Sequence, residues 1–383
     1  MTAAIGFHDL VGTIRARTPS QTLEFVRPKL ASMGITRIAR VTGLDHVGIP
    51  VSMAVRPLSR NLSVSQGKGY TAELADVSAV MESIEFHHAE TPPPAALVGT
   101  YRDLAKDHPL IDPRRFVAGW FPRSNTEPAL GWVKAENLVD GSEAYIPRAL
   151  VNFDQTTHGS ECSRLFVSTN GLASGNTLAE ATCHSLYELI ERDAAAAWEQ
   201  CSDADKEPAE ISVASIGGPV RWLLDRLLAA DLRVRIWDAT SRLGVPTFIC
   251  HTRGRTELRG LGTFLGMGTH HARDVALSRA VTEAAQSRIT VIAGSRDDNF
   301  PEEYQRQALT ADYQLPEEPA AAKPWAQVPS APLHETFDDN VADLVERITQ
   351  AGHAPVLRVD HTKPDLQIPV VHCFVPGMQV PKH

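Results

Sequence analysis

Residues 220–252 read VRWLLDRLLAADLRVRIWDATSRLGVPTFICHT. The first part carries apolar residues at 3.6-type spacing, which predicts an amphipathic helix. A β-rich run follows, Arg233-Val-Arg-Ile-Trp237, then a turn, and Val245-Pro246 opens a second strand. Proline is tolerated at a strand's first residue, where its missing N–H costs little. The same unit recurs at 23–55 (LEFVRPKLASMGITRIARVTGLDHVGIPVSMAV) and at 341–375 (VADLVERITQAGHAPVLRVDHTKPDLQIPVVHCFV), with Ile49-Pro50 and Ile368-Pro369 at the matching place. Each unit reads as a helix packed on a strand pair. Three copies predict an α+β fold of helices layered on sheets.

A second repeat threads through the first. Gly67-Lys-Gly-Tyr-Thr71, Ser174-Gly-Asn-Thr177 and Gly266-Met-Gly-Thr269 each lead into a helix. The helices align at Ala75, Ala181 and Ala276, then at Glu82, Glu188 and Glu283, then at Glu85, Glu191 and Gln286. At about 100° per residue, Glu180, His184, Glu188 and Glu191 fall in one arc of the second helix. Ser78, Glu82 and Glu85 gather in the same way on the first, beside the apolar stripe Leu74, Val77, Met81 and Ile84.

A glutamate on a helix is ordinarily solvated, and a Gly-rich turn is ordinarily a cap. Recurrence in register on three helices weighs against that reading here. Desolvated carboxylates repel unless paired or metal-bound. Hard divalent cations with oxygen ligands supply the missing charge, and Mg²⁺ takes one or two carboxylates plus substrate phosphates. The three turns offer backbone N–H groups to anions, and Lys68, Arg192, Arg279 and Arg288 add cations. The set reads as a Mg²⁺–nucleoside triphosphate site without a P-loop, since no G-x-x-x-x-G-K-[ST] occurs. His87-His88 and His270-His271 lack metal spacing and read as packing residues, as does Cys183; Ser185 lacks a nucleophile context.

Composition bounds the remaining classes. The chain has 383 residues, enough for a sizeable core. Lys plus Arg number 37 and Asp plus Glu 46, a net charge of −9, which argues against a nucleic-acid partner. No apolar run reaches the ~18 residues of a membrane span. The five cysteines are scattered, which predicts neither disulfides nor a zinc site and fits the cytoplasm. Residues 1–17 read as an N-terminal extension without a secretory signal. Residues 18–383 read as one domain. Within it, 91–160 reads as an insertion on the substrate side, with a hairpin turning at Asp140-Gly141, and 309–338 as an Ala/Pro-rich surface connection.

At these helices the sequence resembles the YcaO family. The resemblance rests on Ser65-Gln-Gly-Lys-Gly69, Ser78-Ala-Val-Met-Glu82-Ser-Ile-Glu85, Asn170-Gly-Leu-Ala-Ser-Gly-Asn176, Tyr187-Glu-Leu-Ile-Glu-Arg-Asp193 and Thr282-Glu-Ala-Ala-Gln-Ser-Arg288. It runs from about Thr18 to the C-terminus, with the blocks in the family's order. It implies ATP and Mg²⁺ as cofactors. It implies nucleotide contacts at Ser65, Lys68, Ser78, Glu82, Glu85, Arg192, Glu283 and Gln286, and Mg²⁺ contacts at Glu82, Glu85, Glu180, Glu188 and Glu191. No single residue is marked as the catalytic group.

The activity implied is ATP-dependent O-phosphorylation of a peptide backbone amide. A Cys, Ser or Thr nucleophile then gives an azoline, sulfide a thioamide, and a backbone amine an amidine. The tail Val375-Pro-Gly-Met-Gln-Val-Pro-Lys-His383 lacks the Pro-x-Pro-x-Pro of many azoline formers, and Phe86-His-His-Ala-Glu90 replaces a common Glu-Arg-Tyr. With Val41-Thr-Gly-Leu-Asp45 and Val375-Pro-Gly377, this resembles the TfuA-associated, thioamide-forming branch. Expected partners are a precursor peptide or protein and a TfuA-like protein, and the family implies a homodimer. The alternatives are an azoline- or amidine-forming enzyme and a non-catalytic ATP-binding accessory protein.

Overall fold

In all three repeated units the chain doubles back before the proline and the two strands pair antiparallel. One backbone bond opens each pair. The N–H of Val41 donates to Val51 O at 2.9 Å, that of Ala239 to Thr247 O at 2.9 Å, and that of His361 to Val370 O at 2.8 Å. The computed structural model describes residues 7–116, 127–156, 168–255, 261–296 and 322–380.

The described chain opens with a hairpin, β1 (His8–Leu10) and β2 (Thr13–Arg15). The first unit is α1 (Pro19–Val26), β3 (Arg37–Arg40) and β4 (Val51–Val55), continued by β5 (Val64–Lys68) and α2 (Ala72–Ala89). Then come β6 (Leu97–Gly99), α3 (Tyr101–Leu104), β7 (Leu130–Asn137) and β8 (Glu143–Pro147). They are followed by β9 (Leu172–Ser174), α4 (Leu178–Glu199) and α5 (Asp203–Lys206). The second unit is α6 (Pro219–Ala229), β10 (Leu232–Asp238), β11 (Thr247–Gly254), β12 (Phe264–Thr269) and α7 (Arg273–Ala293). The third is α8 (Phe337–Gln350), β13 (Leu357–Asp360) and β14 (Val370–Phe374).

Two sheets run in simple order, β3-β4-β5 and β10-β11-β12, each with the following helix packed on it. The third sheet is closed from the middle of the chain: β14 pairs with β9, and α4 packs on both. Each unit therefore has three core strands and a helix behind them, but only two are contiguous in sequence.

Glycines of the Gly-rich segments have a packing role. They lie at strand ends, flat against the following helix. A Cβ on Gly67 would sit 2.0 Å from Ala79 N, and one on Gly266 2.1 Å from Ala280 O. Glycine is required there for close strand–helix packing. The Thr71 and Thr177 hydroxyls cap α2 and α4, accepting from the N–H of Leu74 and Glu180.

Alanine stripes continue this packing, with Ala276, Ala280 and Ala284 of α7 buried against Ile236 and Phe248. In the third unit Leu186 and Ile190 of α4 meet Leu344, Ile348 and Val371. The predicted hairpin forms as β7 and β8, turning at Asp140-Gly141, with Gly141 at a φ of 72°. It is joined to the third sheet, because β7 pairs with β13. Residues 117–126 and 157–160 of that segment lie outside the described residues, as do 297–321 and Cys162. Beyond 321 the connection is packed: Trp325 and Val328 are buried. Cys183, His88 and His271 are buried as expected. The Ser185 hydroxyl donates to Gly171 O at 2.5 Å, a structural contact. Among the described residues no helix is long and apolar enough to cross a membrane.

Candidate functional site

Each of the three helices behind the sheets also reaches the third strand of another unit. α2 touches β9, α4 touches β12, and α7 touches β5. The helices thus surround a cavity of about 320 Å³. Ser78, Glu82 and Glu85 line it from α2. Glu180, His184, Glu188, Glu191 and Arg192 line it from α4. Arg279, Glu283 and Gln286 line it from α7, and Lys68 reaches it from β5.

Two expected residues are elsewhere. Ser65 is buried but does not line the cavity. Successive side chains of a strand point to opposite faces, so β5 presents Gln66 and Lys68 to the cavity instead. Arg288 also stays out. It lies five residues beyond Glu283, about 140° round the helix, and pairs with Asp45 at 3.4 Å in the interior. The apolar stripe of α2 is split: Leu74, Val77 and Met81 form an apolar wall of the cavity, while Ile84 is buried in the core.

Several lining residues are not among the expected contacts. Arg15 and Arg17 come from the N-terminal segment, and Gln66, Tyr70, Ser174 and Asn176 from strand ends and turns. Arg15 contacts the His184 ring and lies 3.8 Å from Glu180 Oε1. The residues expected to form a separate extension therefore wall the cavity.

The carboxylates fall into two groups. Glu180 is saturated by protein donors: Ala16 N–H at 3.1 Å, Asn176 N–H at 3.2 Å, and Asn176 Nδ2 at 3.1 and 3.2 Å. It ties β2 to the start of α4. Glu82, Glu85, Glu188 and Glu191 are under-compensated. Burial pushes Glu85 up to about 8, although Ser174 donates to it from its N–H and hydroxyl. Burial pushes Glu188 up to about 7 against the pull of Arg192, 3.9 Å away. Burial also raises Glu82, which accepts from Gln66 N–H at 2.5 Å. Glu191 is raised by burial and by Glu283, and its Oε2 is buried with no hydrogen-bond partner. For Glu283 burial is outweighed by Lys68 and Arg192, which hold its carboxyl below the usual range; Lys68 Nζ donates to it at 2.6 Å.

The arrangement is a buried, oxygen-rich, cation-rimmed cavity in which burial holds four carboxyls above their ordinary range. No group of three or more His, Cys, Asp or Glu among the described residues is spaced to hold a metal ion alone. A hard cation held by one or two carboxylates and a bound phosphate suits these donors, and the unpartnered Glu191 Oε2 is such a donor.

The model of the family YcaO cyclodehydratase, ATP- and Mg²⁺-binding, matches residues 66–379. The chain belongs to the YcaO family. ATP and Mg²⁺ are the cofactors of that family, and the donor set just described fits both. An uncharacterized protein from the tfuA 3′ region of Rhizobium leguminosarum bv. trifolii is 34% identical over 98% of this chain and 89% of its own length. YcaO from Methanopyrus kandleri, bound with AMPPCP and Mg²⁺, matches with a TM-score of 0.75 at 25% identity, over 97% of this chain and 93% of that one. A heterocyclase in complex with substrate and cofactor matches in fold, with a TM-score of 0.79 at 22% identity over 99% of this chain. This YcaO chain spans 54% of that heterocyclase.

Proposed function

We propose that the protein uses ATP and Mg²⁺ to activate a peptide backbone amide and convert it to a thioamide, acting with a TfuA-type partner. The observation that carries the ATP-dependent step is the convergence of Glu82 and Glu85, Glu188 and Glu191, and Glu283 and Gln286 on one buried cavity with Lys68, Arg192 and Arg279. The thioamide assignment is supported by the Rhizobium relative in the tfuA 3′ region.

In this reading a sulfur nucleophile adds to the amide carbon, and the carbonyl oxygen takes the γ-phosphoryl group of ATP as ADP leaves. The C–O bond then breaks, phosphate departs, the sulfur loses its proton and C=S forms. Amide oxygen is a poor leaving group, and phosphorylation makes it a good one. Mg²⁺ supplies neutralisation of the charge that develops on the transferring phosphoryl group. Glu188, Glu191, Glu82 and Glu85 are the groups that would hold it, and Glu180 orders the wall beside them. Lys68, Arg192 and Arg279 would meet the phosphates, while Ser78, Glu283 and Gln286 complete the polar lining. Leu74, Val77 and Met81 offer the base an apolar surface.

The test is intact-mass spectrometry of a co-expressed precursor, with and without the neighbouring TfuA-like protein. Exchange of oxygen for sulfur on the backbone supports the thioamide. Loss of one water per site moves the assignment to an azoline or amidine. ATP binding with no change in any precursor identifies an accessory protein.

A further inference from the structure

The three units are equivalent in their strand pairs but not at their outer edges. The shared bond from Val41, Ala239 and His361 fixes the alignment. Three residues back, Ile38, Ile236 and Arg358 occupy the same position, with their backbone groups turned away from the partner strand. The parity follows from β4. Gly69 N–H donates to Pro50 O and Arg56 N–H to Ser63 O, so even-numbered residues of β4 face β5 and odd-numbered ones face β3.

Two of these edges are covered. β7 runs antiparallel along β13, pairing Glu136 with Arg358, and Leu138 N–H donates to Val356 O at 2.8 Å. On β10, Glu210 bridges Trp237 antiparallel and Ile211 N–H donates to Ile236 O at 2.8 Å. The third edge, β3, pairs only with β4 among the described residues. Its open side faces a groove of about 680 Å³ against α1. Leu23, Leu30, Ile35 and Ile38 give the groove an apolar lining, and Arg27 and Arg37 stand exposed at its rim. Among the described residues the only acidic side chain lining it, Asp76, already pairs with Arg40 at 2.8 Å. In a chain of net charge −9 this is a local basic site.

We propose that β3 accepts an acidic, extended segment of the peptide substrate as an added antiparallel strand. The proposal rests on the peptide-modifying function above. The guest takes the place that β7 and residues 210–211 fill in the other units, bonding to the backbone of Ile38 and Arg40. Its acidic side chains meet Arg27 and Arg37. The groove adjoins the central cavity: Leu23 and Asp76 line the groove, while their neighbours Thr22 and Val77 line the cavity. A substrate anchored here is held one helix away from the reacting centre.

The test uses the full chain and a fluorescein-labelled dodecapeptide of alternating glutamate and valine, read by anisotropy. Ile38→Pro removes the outward N–H and leaves the bonds from β3 to β4 in place. The double variant Arg27→Glu, Arg37→Glu removes the basic rim and guards against a misfolded proline variant. Each is expected to weaken binding about ten-fold or more while Mg²⁺–ATP binding and the melting temperature stay as in the wild type. Equal binding of a lysine–valine peptide, unchanged binding to both variants, or no binding of the acidic peptide overturns the proposal. A wild-type dimer that dissociates on Ile38→Pro also overturns it, since the edge then belongs to a second copy. Mg²⁺–ATP binding is read separately, so its absence from the wild type refutes the function and not the groove.

Discussion

Ser174 of β9 donates both its backbone N–H and its hydroxyl to one carboxylate oxygen of Glu85 on α2, at 2.8 and 2.7 Å. A strand of the third unit thus orients an acid of the first. Ser174→Ala removes the hydroxyl and keeps the N–H, so the fold loses only about 1 kcal/mol. The Kd for Mg²⁺–ATP rises about ten-fold, because the freed carboxylate loses its orientation. Calorimetric titration and thermal melts of the same samples separate the two effects.

The raised carboxyls make the unliganded protein sensitive to alkali. Glu85 titrates near 8 in the folded chain against an ordinary 4.5, so the folded state holds a proton the unfolded chain has released. Glu188, near 7, acts in the same direction. Their contribution is complete below 4.5 and is lost as the pH rises to about 8. The melting temperature of the free protein therefore falls between pH 6 and 8, as an approximate window. Saturating Mg²⁺–ATP flattens that slope, and its binding releases protons, seen as a dependence of the binding heat on buffer ionisation enthalpy.

Glu191→Gln separates catalysis from stability. The carboxyl is 2% exposed and has an unpartnered oxygen, so a neutral amide relieves a desolvation cost. The variant melts at or slightly above the wild-type temperature, while peptide-dependent ATP hydrolysis falls by about 100-fold or more. Wild-type turnover by this variant removes Glu191 from the proposed metal site.

Gly67→Ala discriminates packing from phosphate binding. The new Cβ meets the backbone of Ala79 and Ala75, which cannot yield as a flexible side chain does. The expected loss is about 1–3 kcal/mol of stability. A drop in ATP affinity with an unchanged melt would instead restore the cradle reading.

The sequence shows what is periodic. The β-branched residue and proline at 49–50, 245–246 and 368–369 mark the strand pairs because each unit solves the same packing problem. The glutamates at 82, 188 and 283 are visible because helical spacing puts them on one face. Arg15 is not, since it reaches the cavity only through tertiary contacts with His184 and Glu180, far away in the chain. Arg288 shares a block with Glu283 and Gln286, yet its angle on α7 sends it to Asp45. Ser65 fails for a similar reason, one step of strand pleat.

The closure of β9 by β14 has a consequence in time as well as in space. During synthesis the first and second units leave the ribosome complete, but α4 emerges with β9 alone, without the β14 and α8 it also rests on. Its glutamates cannot take their places until the last few dozen residues have been translated. A nascent or C-terminally clipped chain therefore has no cavity with which to consume ATP.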